Sequence, residues 1–248
     1  MKFSIGRSLV EVNIPDQAQL FRAVRNKFAC SEGFAIATLN LDHLTKLPVD
    51  TQFAAAYRAQ DFVVADGRPI VWLAHLAKKP VALMPGSDMV IPLAQIAAEM
   101  KMPVALMGSS NAALAGAQAA LEARIAGINI VLAYAPPYGF DPTGADARTI
   151  CNLLNDSGAR LCFIALGAPK QEVFAAFART KAPEVGFASI GAGLDFLSGH
   201  QVRAPRIMRA LALEWLWRAL QSPRRMIPRY AKCFSILPRH VQDAWRQR

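Results

Sequence analysis

Short apolar runs that recur between helical stretches constrain this chain more than any other feature. Six runs, at 34–39, 62–65, 103–107, 129–133, 161–166 and 186–190, are apolar almost without interruption. Between them lie helix-like patterns at 17–28, 52–59, 69–77, 88–100, 111–124, 145–155 and 170–180. Strand side chains alternate between two faces, so a run apolar at every position must be covered on both. Strands of that kind joined through helices predict an α/β, Rossmann-like, mostly parallel sheet with helices on both faces. Sheets of this type take ligands outside the carboxyl ends of their strands. The residues that follow each run are therefore the candidates for chemistry.

The last part of the chain reads differently. Arg203 to Arg248 hold no strand-like run, so an α/β body over 1–199 and a helical appendage over 200–248 are expected. A helix pattern covers 207–221, Pro223 breaks it, and a second short helix over 224–237 is predicted, interrupted near Pro228. Charge divides at the same place. The net charge is +10, and residues 200–248 hold 11 of the 28 Lys+Arg against two of the 18 Asp+Glu. A near-neutral body with a basic tail excludes a general nucleic-acid binder and points to one anionic surface met by the tail alone. Arg203, Arg206, Arg209, Arg218, Arg224, Arg225 and Arg229 are interleaved with Trp215, Trp217, Met226, Ile227 and Tyr230, a mixture suited to an interfacial helix on anionic lipid. A packed helix with a solvated basic face is the other reading. Hydrophobic residues make up 53% of the chain, yet no run approaches the roughly 18 apolar residues of a membrane span. The first residues show no apolar signal region. The expected location is cytoplasmic, peripheral on the inner face of the cell membrane. Cys30, Cys151, Cys162 and Cys233 match no metal spacing and are expected as free thiols.

Several strand ends carry polar residues. Thr38 lies at the end of the first run and Asn40 follows it, where they either bind substrate or, in the case of Asn40, cap the next helix. Asp66-Gly67-Arg68 follows the second. A carboxylate at the lip of a parallel sheet is placed for a general base, while a helix cap before Pro69 is the alternative. Pro85-Gly86-Ser87-Asp88 opens a helix whose amino end could hold phosphate, with Ser87 or Asp88 as its cap. Gly108-Ser109 repeats that logic. In Gly167-Ala168-Pro169-Lys170-Gln171-Glu172 a lysine opposes the helix dipole in the first turn, which an anionic ligand would explain. Residues 191–199 form a glycine-rich turn that lacks the dinucleotide-binding pattern.

Taken in order along the chain, these segments resemble the WecG/TagA/CpsF family of bacterial glycosyltransferases. The resemblance rests on Ala37-Thr38-Leu39-Asn40, Ala65-Asp66-Gly67, Pro85-Gly86-Ser87-Asp88, Gly167 through Glu172, residues 191–199, and Arg203-Ala204-Pro205 through Leu213-Glu214-Trp215-Leu216 to Pro223-Arg224-Arg225. It implies an inverting, metal-independent enzyme that moves a sugar from a UDP-sugar to a polyprenyl-diphosphate-linked saccharide in surface or exopolysaccharide assembly. Asp66 would be the base, and Thr38, Asn40 and Gln171 would line the site. Arginines of the appendage, here Arg218, Arg224, Arg225 and Arg229, would meet phosphate as the tail meets the membrane. No cofactor is implied, and no Asp-x-Asp motif of the kind that holds a metal-bound diphosphate is present. Where the family carries a basic residue before the Pro-Gly-Ser-Asp turn, this chain has Leu83, with Lys78 and Lys79 upstream. That departure brings glucose or another hexose into consideration beside N-acetylmannosamine. A non-catalytic nucleotide-sugar-binding protein of the same fold is the alternative, and a homo-oligomer remains open.

Overall fold

The computed structural model describes residues 1–5, 8–205, 207–208 and 213–248. Two short strands, β1 (Lys2–Ile5) and β2 (Ser8–Glu11), pair antiparallel. The body then alternates helices and strands. In chain order these are α1 (Gln17–Ala29), β3 (Phe34–Leu39), α2 (Leu41–Lys46), α3 (Thr51–Arg58), β4 (Phe62–Ala65), α4 (Arg68–Leu76), α5 (Gly86–Glu99) and β5 (Val104–Gly108). There follow α6 (Asn111–Glu122), β6 (Ile130–Tyr134), α7 (Ala145–Asp156), β7 (Leu161–Ala165), α8 (Lys170–Arg179), β8 (Gly186–Ser189) and α9 (Gly193–Leu197). Two further described helices, α10 (Glu214–Gln221) and α11 (Pro223–Arg246), form the tail.

Strands β3 to β8 make one parallel sheet in the order β4-β3-β8-β7-β5-β6. The alternation of side chains explains its two covered faces. Phe34, Ile36, Leu106 and Phe163 enter a core shared with α1, α5 and α6. Ala35, Ala105, Met107 and Cys162 point the other way, into a core shared with α7 and α8. A third cluster joins the end of β3, α2, α3 and α4 to the hairpin and to Cys233 and Ala244 of α11.

The six predicted strands are present. Three features differ from the sequence reading. The amino-terminal hairpin and the short helices α2 and α9 carry too few residues to show a period. The second tail helix is one unbroken helix of 24 residues with Pro228 and Pro238 inside it, not a short interrupted one. Both prolines are exposed, so the carbonyls they leave without a donor, four residues earlier, can be reached by water. Of the predicted helix over 207–221, α10 is described. Arg206, Arg209 and Leu211 lie outside the described residues. Pro223 does break the chain: Ser222 between α10 and α11 has φ −146° and ψ 66°.

Candidate active site

The loops after β3 and β8 leave toward opposite faces. The chain from β3 runs through α2 to α3, which packs on α8, whereas β8 leads to α9, which packs on α5 and α6. Neighbouring strands whose connections diverge open a crevice at their carboxyl ends. The amino end of α5 closes one side of it. A Cβ on Gly86 would stand 2.9 Å from the Ile190 Cα, and one on Gly193 3.3 Å from the Ser87 Cα. Glycine at both places lets helix and loop touch.

Thr38, Asn40, Asp66 and Gly67 stand together at this edge, because Leu39 pairs with Ala65 in the parallel register. The Asp66 backbone N–H donates to the Leu39 carbonyl at 2.8 Å. Asn40 caps α2, its Oδ1 accepting from the His43 N–H at 3.0 Å. Its Nδ2 donates to Asp66 Oδ2 at 3.3 Å. The cap and the substrate-side role are thus compatible, since they use different atoms of one amide. Asp66 is not a helix cap: Gly67, at φ 92°, occupies that position without a side-chain bond. The carboxyl is partly open to the crevice but ringed closely by protein. Burial raises its pKa, opposed by the Asn40 hydrogen bond and the charge of Arg218, with Glu214 and Asp88 adding to the rise. A base with a raised pKa that is held by a neutral donor suits removal of a proton from a hydroxyl.

The other predicted residues divide. Gln171 is 2% exposed. Its Oε1 accepts from the Gly191 N–H at 3.1 Å, and its Nε2 donates to Glu172 Oε1 at 2.8 Å, tying the loops after β7 and β8 together. Gly167 and exposed Lys170 lie at the mouth of the same loop, with Lys46 Nζ reaching the Ala168 carbonyl at 3.4 Å. Ser87 sits half-buried in the first turn of α5, whose amino-terminal cap position is Pro85; neither Ser87 nor Asp88 caps it. Asp88 instead pairs with Arg203, the tail residue that folds over this helix end. Gly108, at φ 109°, is demanded by packing, since a Cβ there would run into the Ala165 backbone. Ser109 gives its hydroxyl proton to the Asp195 carboxylate. Arg68 opens α4 beside Gly67.

The tail arginines also take different places. Arg218 pairs with Glu214 at 2.7 Å while its charge reaches Asp66. Arg229 is committed to Asp42, Nε to Oδ1 at 2.7 Å and a guanidinium N–H donating to Oδ2 at 2.8 Å. Arg224 and Arg225 are exposed at the start of α11. Lys78 and Lys79 lie past the far end of α4, and Lys79 bears on the amino terminus. Leu83 is 37% exposed and precedes Met84, whose N–H donates to the Ala65 carbonyl at 2.8 Å.

Residues that the sequence reading did not single out complete the site. His43 and Tyr57 lie behind Asn40. Lys46 and Arg229 together hold Asp42, the former at 2.7 Å. Buried Glu172 stands beside Gln171. An Asp-to-Lys pair four residues apart on a helix was a local signal for Asp42 and Lys46. Tyr57 gave none, because its partners are 14 and 19 residues away in the chain. Among the described residues, no three His, Cys, Asp or Glu side chains gather as they would around a metal ion.

A doubly wound parallel sheet with a carboxylate and amide at the crevice, and a basic tail folded beside it, defines a Rossmann-like α/β protein. The profile of the glycosyl transferase WecG/TagA/CpsF family matches residues 7–248, and the chain belongs to that family. It is a glycosyltransferase, with a sugar donor and a glycan acceptor as its substrates.

Proposed function

We propose that the protein is an inverting, metal-independent transferase. It moves a hexose or N-acetylhexosamine from a UDP-sugar to a polyprenyl-diphosphate-linked saccharide, at the inner face of the cell membrane, in surface or exopolysaccharide assembly. The observation that carries this reading is the placement of Asp66. Its carboxyl is held by Asn40 at the crevice, is not used as a cap, and has its pKa raised by burial. Asp66 takes the proton of the acceptor hydroxyl as that oxygen attacks the anomeric carbon, and the bond to UDP breaks on the opposite side. Arg218 is a tail cation whose charge lowers the Asp66 pKa, and, unlike Arg203, it is not paired with Asp88, so it is placed to offset charge on the departing diphosphate. Arg224 and Arg225 are exposed to meet the lipid diphosphate. Lys170 and Gly167 stand at the mouth for the same anionic substrates.

Support for a membrane surface comes from α10 and α11. Met226, Cys233, His240 and Ala244 face the body. Ile227, Phe234, Val241 and Trp245 are 60%, 53%, 42% and 59% exposed. Their spacing of seven, seven and four aligns them along one side of the helix, with Arg239 and Arg246 to one flank. No helix among the described residues is long and apolar enough to cross a membrane. The test of stereochemistry is NMR of the first-formed product from an α-linked donor: a β anomer supports the reading, and an α anomer rejects inversion. The same reaction run in EDTA tests metal independence.

A further inference from the structure

Behind Asn40 lies a closed hydrogen-bond chain whose proton positions are fixed by counting donors. Tyr57 Oη is 2.6 Å from the Thr38 carbonyl, which can only accept, so the phenol proton goes there. The same oxygen is 2.6 Å from His43 Nδ1. With its one proton spent, Oη must accept, and Nδ1 carries the ring proton. Nε2 is then a bare acceptor, and Asn40 Nδ2 stands 3.5 Å from it. The Asn40 amide cannot be turned around, because its Oδ1 accepts from the His43 N–H. Both protons of Nδ2 are thereby assigned, one to His43 and one to Asp66. His43 is 4% and Tyr57 2% exposed, and the ring of His43 packs edge-on against Phe53 and Tyr57. Neither side chain lies at the crevice surface.

We propose that His43 and Tyr57 are positioning residues that fix the Asn40 amide and, through it, orient the Asp66 carboxylate; the proposal rests on the reading of Asp66 as the base. A buried polar chain in which every proton has one destination leaves Asn40 a single orientation. His43 does not itself exchange protons at neutral pH, because burial drives its pKa down to about 4. The charged groups around it are Asp42 and Lys46 on its own helix and Arg229 from α11. Those around Asp66 are Arg218 and Glu214 from α10, Asp88 from α5, and Arg203, which in turn senses Asp66. Substitution at His43 or Tyr57 leaves all of these charges in place. Tyr57→Phe and His43→Leu also keep buried volume beside Asp66, whose largest pKa influence is burial, so a titration change that His43→Gln does not share reports Asn40.

The test uses the full chain. The Asp66 carboxyl is titrated by carbon NMR, assigned through Asp66→Asn, in wild type, Tyr57→Phe, His43→Gln and His43→Leu. Sugar transfer is measured beside it, and thermal unfolding checks the fold. Losing an ordered donor to the charged form raises a carboxyl pKa, so Tyr57→Phe and His43→Leu should raise that of Asp66 by about half a unit or more. Their kcat should fall about tenfold with KM little changed, as misorientation predicts. His43→Gln keeps an acceptor facing Asn40 and should stay nearer wild type. An unmoved Asp66 titration in folded Tyr57→Phe and His43→Leu overturns the proposal. Should both fail to fold, His43→Gln and His43→Asn, each keeping one ring-nitrogen partner, decide it: equal titrations overturn it. Wild type that shows no transfer, while the titration still moves, leaves the positioning chain standing and removes the transferase assignment for Asp66.

Discussion

Burial raises the Asp66 carboxyl, and Asn40 and Arg218 draw it back down. A general base needs that balance, since it must be ionised at working pH yet basic enough to take a hydroxyl proton. Asp66→Asn keeps shape and hydrogen bonding and should lower kcat at least about 100-fold, the usual scale for such a group. Rates at saturating substrates check this, and a full rate removes Asp66 as the base. Glu172 makes a separate prediction. It is fully buried, its Oε2 has no hydrogen-bond partner, and burial pushes its pKa up to about 7. The folded state therefore holds the Glu172 proton more tightly than the unfolded one. The stability this gives is complete below about pH 4.5 and is lost as pH rises through about 7. Glu172→Gln removes that loss. Urea unfolding should find it more stable than wild type at pH 8, on the order of 1 to 3 kcal/mol, and close to wild type at pH 4.5. A variant whose gain over wild type is no larger at pH 8 than at pH 4.5 contradicts the assignment.

Helix α2 has six residues and three duties. Asn40 caps it, Asp42 receives the tail through Arg229, and His43 enters the chain behind Asp66. Burial pushes the Asp42 carboxyl up, but Lys46 and Arg229 outweigh burial and hold it below its ordinary value. That ion pairing adds stability above the unfolded carboxylate pKa of about 4, and it is lost as pH falls below that. Arg229→Ala leaves Lys46 on Asp42, so the cost should be modest, about 1 kcal/mol after allowance for solvent screening. Thermal unfolding and amide exchange of α11 at pH 7 measure it. Unchanged exchange in α11 would mean that the pair does not hold the helix.

The contrast among elements shows what the sequence could reveal. The six parallel strands were legible, edge strand β6 included although none of its residues is fully buried, because continuous apolar runs of four to six residues have few other uses in an α/β pattern. Thr38, Asn40, Asp66 and Gln171 were legible because parallel strands put their following residues at one edge. The hairpin β1–β2 was not, since four-residue strands alternate too briefly to be distinguished from loop. The length of α11 was hidden by two prolines, whose local cost of about 3 kcal/mol each in a helix interior is overridden by the packing of Met226, Cys233, His240 and Ala244. His43 and Tyr57 were hidden for a different reason: their role exists only in contacts between α2 and α3.

At the level of the whole molecule, a near-neutral sheet domain carries a basic helical tail that packs on α2, α4 and β1. The tail turns one apolar stripe toward solvent while its other face closes the third core. Under the proposed membrane role, Ile227→Asp with Phe234→Asp should abolish sedimentation with anionic vesicles. Both residues are more than half exposed, and Phe234 also meets the Trp215 ring of α10 edge-on, so the unfolding temperature should fall by no more than a few degrees. Vesicle binding that survives the double change rules this stripe out as the contact. Arg224→Ala with Arg225→Ala should weaken the same binding most at low salt.

The most direct measurement is UDP release from a panel of UDP-sugars, with a synthetic polyprenyl-diphosphate saccharide and EDTA present. Wild type and Asp66→Asn, both shown to be folded, are compared. Release with one donor that requires the acceptor and Asp66 is the predicted result. Release at an equal rate from Asp66→Asn, or a strict need for added metal ion, would contradict the account.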